Sequence, residues 1–193
     1  MIKKTSEAVA LWLEKEGVVS NERRNLYAYA TYSMLFGLLP FLFAIIWGIV
    51  FSMLKEALLL ILPFMLIRKF SGGYHLDSPG YCIIFSNILI AVSLALIKFF
   101  FCNEYTFTLT VLVISAVVSL CLLSPIDSEA RRLSSKEKRL FRKIARIISL
   151  SALVMYLIMQ CCGLHNIGIP FGVGVLLAAS LQVPCILIAK AKK

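Results

Sequence analysis

The stretch that decides the architecture of this chain covers residues 68–82 and is Arg68-Lys69-Phe70-Ser71-Gly72-Gly73-Tyr74-His75-Leu76-Asp77-Ser78-Pro79-Gly80-Tyr81-Cys82. It is a polar, glycine-rich interruption between two long apolar runs. A histidine lies seven residues before a cysteine, with glycines and a proline around them. This pattern predicts a candidate site in a bend between two membrane helices.

The composition of the whole chain is that of a membrane protein. Of its 193 residues, 60% are hydrophobic and only 16% are charged, and the mean hydropathy is +0.89. Soluble domains are closer to half apolar and about a quarter charged. Several apolar runs here reach the roughly 17–25 residues that a spanning helix needs. We therefore expect an all-α, polytopic membrane protein that forms a single integral membrane domain over residues 1–193.

Six apolar runs predict about six transmembrane helices. Charges, prolines and glycines set their limits, and a tight turn is expected at Trp47-Gly48 between the first two. The predicted spans are residues 27–46, 50–67, 82–101, 107–123, 147–162 and 169–189. Before them, residues 1–25 form an amphipathic segment with apolar residues at helical spacing. This spacing is typical of a helix in the membrane interface, or equally of an ordinary packing helix.

The charge distribution predicts the orientation. The chain has 20 Lys+Arg against 10 Asp+Glu, a net charge of +10. The cations cluster beside apolar runs, above all in residues 126–146, as the positive-inside rule describes, so we do not expect nucleic-acid binding. Ser134 and Glu137 have capping-box spacing, which predicts a helix from about Ser135 into the fifth span. With this basic block inside, both termini and residues 68–82 are predicted to be cytoplasmic.

Cys82 and His75 form the candidate catalytic pair. Pro79 suits the first helical position, which puts Cys82 one turn into a helix whose positive dipole end favours a thiolate. An imidazole changes charge near neutral pH and can accept the thiol proton. The glycine and proline bends must bring the two together, because seven extended residues span roughly 23 Å. The alternative is a connecting loop whose histidine and cysteine have no catalytic role.

The second histidine offers a weaker pair. Cys161-Cys162 and His165 lie at the predicted outer end of the fifth span, without a glycine bend, a helix-start cysteine or a cation. The six cysteines show no metal or disulfide spacing, so we expect no metal and no cofactor. Apart from Cys82, we interpret them as small hydrophobic residues.

The residues Arg68, Gly72-Gly73-Tyr74-His75 and Cys82 resemble the accessory gene regulator B family, membrane cysteine endopeptidases of Gram-positive bacteria. In that family an arginine and a glycine precede a histidine and a cysteine seven residues apart. Leu76 and Pro79-Gly80 depart mildly from its pattern, which concerns the shape of the loop. The resemblance implies a homodimer in the bacterial cell membrane that cleaves a pheromone propeptide for quorum sensing. The expected route is an acyl-thioester that closes to a cyclic thiolactone or lactone.

The resemblance also implies roles for single residues. Cys82 is the expected nucleophile and His75 the general base. Gly72 and Gly73, with the backbone at the start of the third helix, are candidates for an oxyanion hole. Arg68 either positions the peptide or stabilises charge, or it is a positive-inside anchor. Ser86, one turn after Cys82, either contacts substrate or packs against a neighbouring helix.

The basic block has two interpretations. Orientation and contact with membrane lipid headgroups explain it. Alternatively, five cations attract an acidic propeptide tail: Lys136, Lys138, Arg139, Arg142 and Lys143.

Two other function classes fit the sequence. One is a small membrane transporter or channel with a re-entrant glycine-rich stretch. The predicted spans lack the intramembrane charges that mark most ion and substrate paths, which disfavours this class. The other is a non-catalytic membrane adaptor for a signalling kinase, in which the histidine and cysteine pair is accidental.

Overall fold

The computed structural model describes residues 2–71, 79–103, 105–125 and 135–182, and only the backbone of residues 2, 79–82, 103 and 135. Every regular element in these ranges is a helix, which confirms the predicted all-α class for this part of the chain. By their internal contacts the residues divide into two units, Met1–Leu42 and Phe43–Lys193.

The first unit holds the predicted amphipathic segment. Helix α1 covers Ile2–Lys15, a short 3-10 turn follows at Asn21–Arg23, and helix α2 begins at Arg24 and continues to Val50 in the second unit. Gly17 ends α1 in the left-handed conformation, with φ +72°. It forms a Schellman motif, in which the Val18 N–H bonds to the Leu13 carbonyl at 3.1 Å.

The turn between the first two long helices was predicted at Trp47-Gly48. In the structure it lies at residues 51–53. Helix α2 ends in another Schellman motif, with Ser52 at φ 54° and the Met53 N–H bonded to the Gly48 carbonyl. Gly48 instead serves packing, because a Cβ there would lie 2.9 Å from the Cβ of Ala57. The prediction was wrong because it interpreted a helix-contact glycine as a turn glycine.

The rest of the second unit consists, in its described part, of α3 (Leu54–Ser71), α4 (Pro79–Asn103), α5 (Thr106–Leu123), α6 (Ser135–Cys161) and α7 (His165–Ser180). Helices α5 and α6 run in opposite directions, as two cross-links between them show. Thr110 Oγ1 lies 3.1 Å from Tyr156 Oη, and Arg146 Nε donates to the Cys121 carbonyl at 3.0 Å. The Phe70–Phe141 ring contact places the end of α3 beside the start of α6, and a hydrogen bond between Gln182 and Ser124 joins the ends of α7 and α5. The ends of α3, α5 and α7 and the start of α6 therefore lie together, at what we call the site end.

Four helices in the described ranges are long and apolar enough to cross a membrane: Asn21–Val50, Ile83–Cys102, Thr106–Leu123 and Lys136–Cys161. They correspond to the first, third, fourth and fifth predicted spans. Helix α6 also begins at Ser135 and continues into the span, as predicted. The second and sixth predicted spans correspond to α3, which has charges near both ends, and to α7, which has 16 residues. Six spans therefore stay a prediction.

Helix α7 differs in its limits from the sixth predicted span. It begins at His165, inside the predicted loop of residues 163–168, and ends at Ser180, before a turn at Leu181 and Gln182. The remainder of the predicted span, residues 183–189, lies outside the described residues. At 1.5 Å per residue, α7 is about 24 Å long.

Helix α7 is the centre of the second unit. It contacts α3, α4, α5 and α6, and ten of its 16 residues are buried. Small residues at helical spacing let the neighbouring backbones approach closely, as in many membrane helix pairs. A Cβ at Gly174 would overlap the carbonyl oxygen of Leu60 in α3, and one at Gly172 would lie 2.6 Å from the Tyr156 ring in α6. The packing of α7 therefore depends on the absence of a side chain at Gly172 and Gly174.

We expect Gly174→Ala to lower the stability of the protein by about 1–3 kcal/mol, because the new methyl group must push the α3 backbone away. The measurement is the thermal midpoint of the detergent-solubilised protein. Gly37→Ala is the matched control, since Gly37 is helical and has nothing within 4 Å of an added Cβ. It should be neutral or slightly stabilising. Equal midpoints for the two variants would contradict the close packing of α3 and α7.

Candidate functional site

The last turn of α3 leads into the predicted site. Arg68 is half-buried, and its guanidinium carbon lies 5.8 Å from the centre of the Phe64 ring. Two residues on, the ring of Phe70 lies 6.0 Å from that of Phe141 in α6. The end of α3 is therefore packed against the first turns of α6.

The predicted catalytic pair falls at the edge of the described residues. Gly72, Gly73 and His75 lie outside them. Cys82 is the fourth residue of α4, whose first residue is Pro79 as predicted, and its side chain is also outside. Contact between His75 and Cys82 therefore stays a prediction.

Helix α4 has a buried stripe that continues from its first turns. Ile90, Ser93 and Ile97 are buried at the spacing of one helix face, and Ser86, one turn earlier, is half-buried. Position 82 is one further turn back on this face. The sequence reasoning missed Asn87, whose side-chain oxygen accepts a hydrogen bond from Trp47 Nε1 and links α4 to the end of α2.

The predicted tail-binding cations occupy the first turns of α6. Lys136, Arg139, Arg142 and Lys143 are exposed, and Lys138 is half-buried. Through the Phe70–Phe141 contact, they lie beside the end of α3. The structure therefore brings Arg68 and the basic residues to the same end of the helices, although residues 126–134 of the basic block lie outside the described ranges.

The site end also contains a buried polar pair that the sequence reasoning missed. Gln182 and Ser124 are each 1% exposed, and Gln182 Nε2 donates to the Ser124 hydroxyl at 2.8 Å. The signal in the sequence is a glutamine within an apolar run. What it could not indicate is the partner, which lies 58 residues away.

The competing cysteine and histidine cluster lies at the opposite end of α6. Cys161 and Cys162 are exposed, and His165 Nδ1 lies 2.6 Å from Gln160 Oε1. The site end and this cluster are therefore separated by the length of a membrane-spanning helix.

Comparison with known proteins gives a family match over most of the chain. The family model described as Accessory gene regulator B matches residues 6–186. AgrB-like protein 2 of Clostridium perfringens (strain 13 / Type A) is 27% identical over 166 residues, which cover 83% of this chain and 76% of the relative. An AgrB-like protein of Clostridium perfringens (strain SM101 / Type A) is 24% identical over 192 residues, covering 95% and 88%. No solved structure matches the chain.

The predicted orientation can be tested on helix α6 alone. Arg139 and Cys161 are both exposed and lie about 33 Å apart along the helix axis, close to the thickness of the hydrocarbon core. In variants whose only cysteine is at position 139 or 161, we expect a membrane-impermeant maleimide to label position 161 in intact cells. Arg139→Cys should be labelled only after permeabilisation. The reverse pattern would place the site end outside the cell.

Proposed function

Since this chain belongs to the accessory gene regulator B family, we propose that it is a membrane cysteine endopeptidase that matures a quorum-sensing pheromone propeptide. The observation that carries the proposal is the family match over residues 6–186, which includes both His75 and Cys82. The apolar helices support a location in the cell membrane. We propose cytoplasmic termini and a homodimer as parts of the same hypothesis.

In the proposed reaction the Cys82 thiolate attacks the carbonyl carbon of a propeptide bond. His75 takes the thiol proton and later gives it to the leaving amine, so that the C-terminal tail is released and an acyl-thioester remains. The position of Cys82 in the first turn of α4 supports this role, because the positive end of the helix dipole stabilises a thiolate.

Ring closure follows from the chemistry of the thioester. A thiol or hydroxyl within the bound peptide attacks the thioester carbonyl and gives its proton to His75, which is neutral again after protonating the leaving amine. Cys82 leaves as the thiolate, and a thiolactone or lactone forms. The intramolecular reaction has a high effective molarity. Water competes with it, so a site that limits the access of water favours the cyclic product.

Further residues have proposed roles around this reaction. Gly72, Gly73 and the first backbone N–H groups of α4 stabilise the oxyanion of the tetrahedral intermediate. Arg68 positions the peptide at the end of α3, and Ser86 contacts it one turn beyond Cys82. The half-buried state of Arg68 and Ser86 is compatible with these roles.

The exposed cations of α6 have a proposed part in recognition. They lie at the site end, beside the last turn of α3. An acidic tail would be attracted to them over about a Debye length, roughly 8 Å at physiological ionic strength. The same cations also orient the protein and contact anionic lipid, so the two roles must be separated by measurement.

We expect Cys82→Ala and His75→Ala each to reduce cleavage of the co-expressed propeptide by at least about 100-fold, because the nucleophile or its base is lost. Cleavage is measured by mass spectrometry of the released tail. Matched controls are Cys102→Ala, at the other end of α4, and His165→Ala; both should retain cleavage with the same amount of protein in the membrane.

The acyl-thioester can be sought directly. A propeptide whose internal thiol or hydroxyl is removed should leave a hydroxylamine-sensitive mass adduct on Cys82. Full processing by Cys82→Ala or His75→Ala would contradict the proposal. In that case a transporter or an adaptor would be the better hypothesis.

We expect Arg139→Glu combined with Arg142→Glu to raise KM for the propeptide about three- to tenfold with little change in kcat, because exposed charge pairs are each worth up to about 1 kcal/mol. The increase should shrink in high salt. Lys55→Glu, at the start of α3 and away from the site end, is the control. Labelling of Cys161 verifies that the topology is retained. An unchanged KM would assign the cations to orientation alone.

A further inference from the structure

Gln182 has a hydrogen-bonding group that no residue in the described part of the chain uses. Its side chain is 1% exposed, and its Nε2 donates to Ser124. Its Oε1 accepts no hydrogen bond from the residues that the structure describes. This oxygen is removed from water and has no partner among the described residues, and such atoms in native proteins require an explanation.

Ser124 can satisfy only one end of the Gln182 carboxamide. If the amide were turned over, the Ser124 hydroxyl would donate to the oxygen and the amide nitrogen would be left over. In either orientation one polar atom of the carboxamide is left without a hydrogen bond to Ser124. A main-chain peptide group complements both cases, since it offers an N–H donor and a C=O acceptor.

The helix register places Gln182 at the level of the last turn of α3. Helices α3 and α7 run in the same direction, and Gly174 packs on Leu60 and Pro63. Both helices rise 1.5 Å per residue, so Gln182, eight residues after Gly174, lies level with residues 68–71. The contacts between α7 and α5 show that these two helices also run in the same direction with a matching register. Gly172 packs on Val113, and about three turns later Gln182 bonds to Ser124.

We infer that the Gln182 carboxamide binds a main-chain peptide group of the propeptide near the bond that is cut. The inference rests on the proposed function. Every residue of a peptide carries the required group, so the contact holds an extended substrate in place without reading its side chains. Because the Gln182 oxygen is already removed from water in the free protein, its hydrogen bond to the substrate has no further desolvation to overcome on the protein side.

The test combines one protein variant with a set of modified propeptides. Gln182→Met keeps the length of the side chain and removes its hydrogen bonds. In each synthetic propeptide one peptide N–H is replaced by an ester oxygen. We expect Gln182→Met to raise KM about tenfold with kcat within about twofold. One ester position should raise KM about tenfold with the unmodified protein and have no further effect with Gln182→Met, because both changes remove the same bond.

Two further variants separate substrate binding from a structural role. Gln182→Glu keeps an acceptor oxygen and should retain sensitivity to the same ester position. Gln160→Met is the matched control, because Gln160 is the other glutamine of the chain, also has a buried amide atom without a described partner, and lies at the opposite end of α6. It should leave KM unchanged.

The outcomes distinguish the inference from the proposed function. Suppose that the unmodified protein cleaves the propeptide, and that every ester position changes KM by the same factor with Gln182→Met as with the unmodified protein. The inference is then overturned and the proposed function stands. A fall in kcat and thermal midpoint at unchanged KM would also overturn it, since that is the result of a structural role. If the unmodified protein does not cleave the propeptide, both are overturned.

Discussion

The close approach of α7 to the backbone of α3 is the contact on which the second unit depends. At Gly174 the two helices leave no space for a side chain, and Gly172 admits the Tyr156 ring of α6 in the same way. A larger residue at either position would push a neighbouring helix outward. Because lipid tails are as apolar as leucine, membrane helices associate through such close packing more than through the hydrophobic effect.

This packing determines what meets at the site end. Helices are stiff, so a contact near the middle of α7 sets the level of residues about two turns further on. At the site end the Gln182–Ser124 hydrogen bond joins the ends of α7 and α5. The Phe70–Phe141 contact joins the end of α3 to the start of α6. Residues from distant parts of the sequence thus lie around the point where the chain enters the stretch of residues 72–78.

Two kinds of polar group at the site end act over different ranges. The exposed cations of α6 act through the solvent and attract any acidic partner within about a Debye length. The Gln182 carboxamide acts only at contact, and its fixed position makes it selective for geometry. A peptide substrate would meet the charges first and the amide last. This order fits the proposed function, in which the protein captures a propeptide and then holds one of its bonds at Cys82.

Local signals in the sequence were enough to predict several helix ends. Pro79 begins α4, Ser135 begins α6, and α5 ends before Ser124-Pro125, because helix starts and stops depend on capping residues and prolines close in sequence. The catalytic hypothesis for His75 and Cys82 also came from one short stretch. The tertiary structure alone decided that Gly48 is a packing residue and that α3 and α7 run side by side. It also decided that Gln182 meets Ser124, because each of these depends on atoms that are distant in sequence.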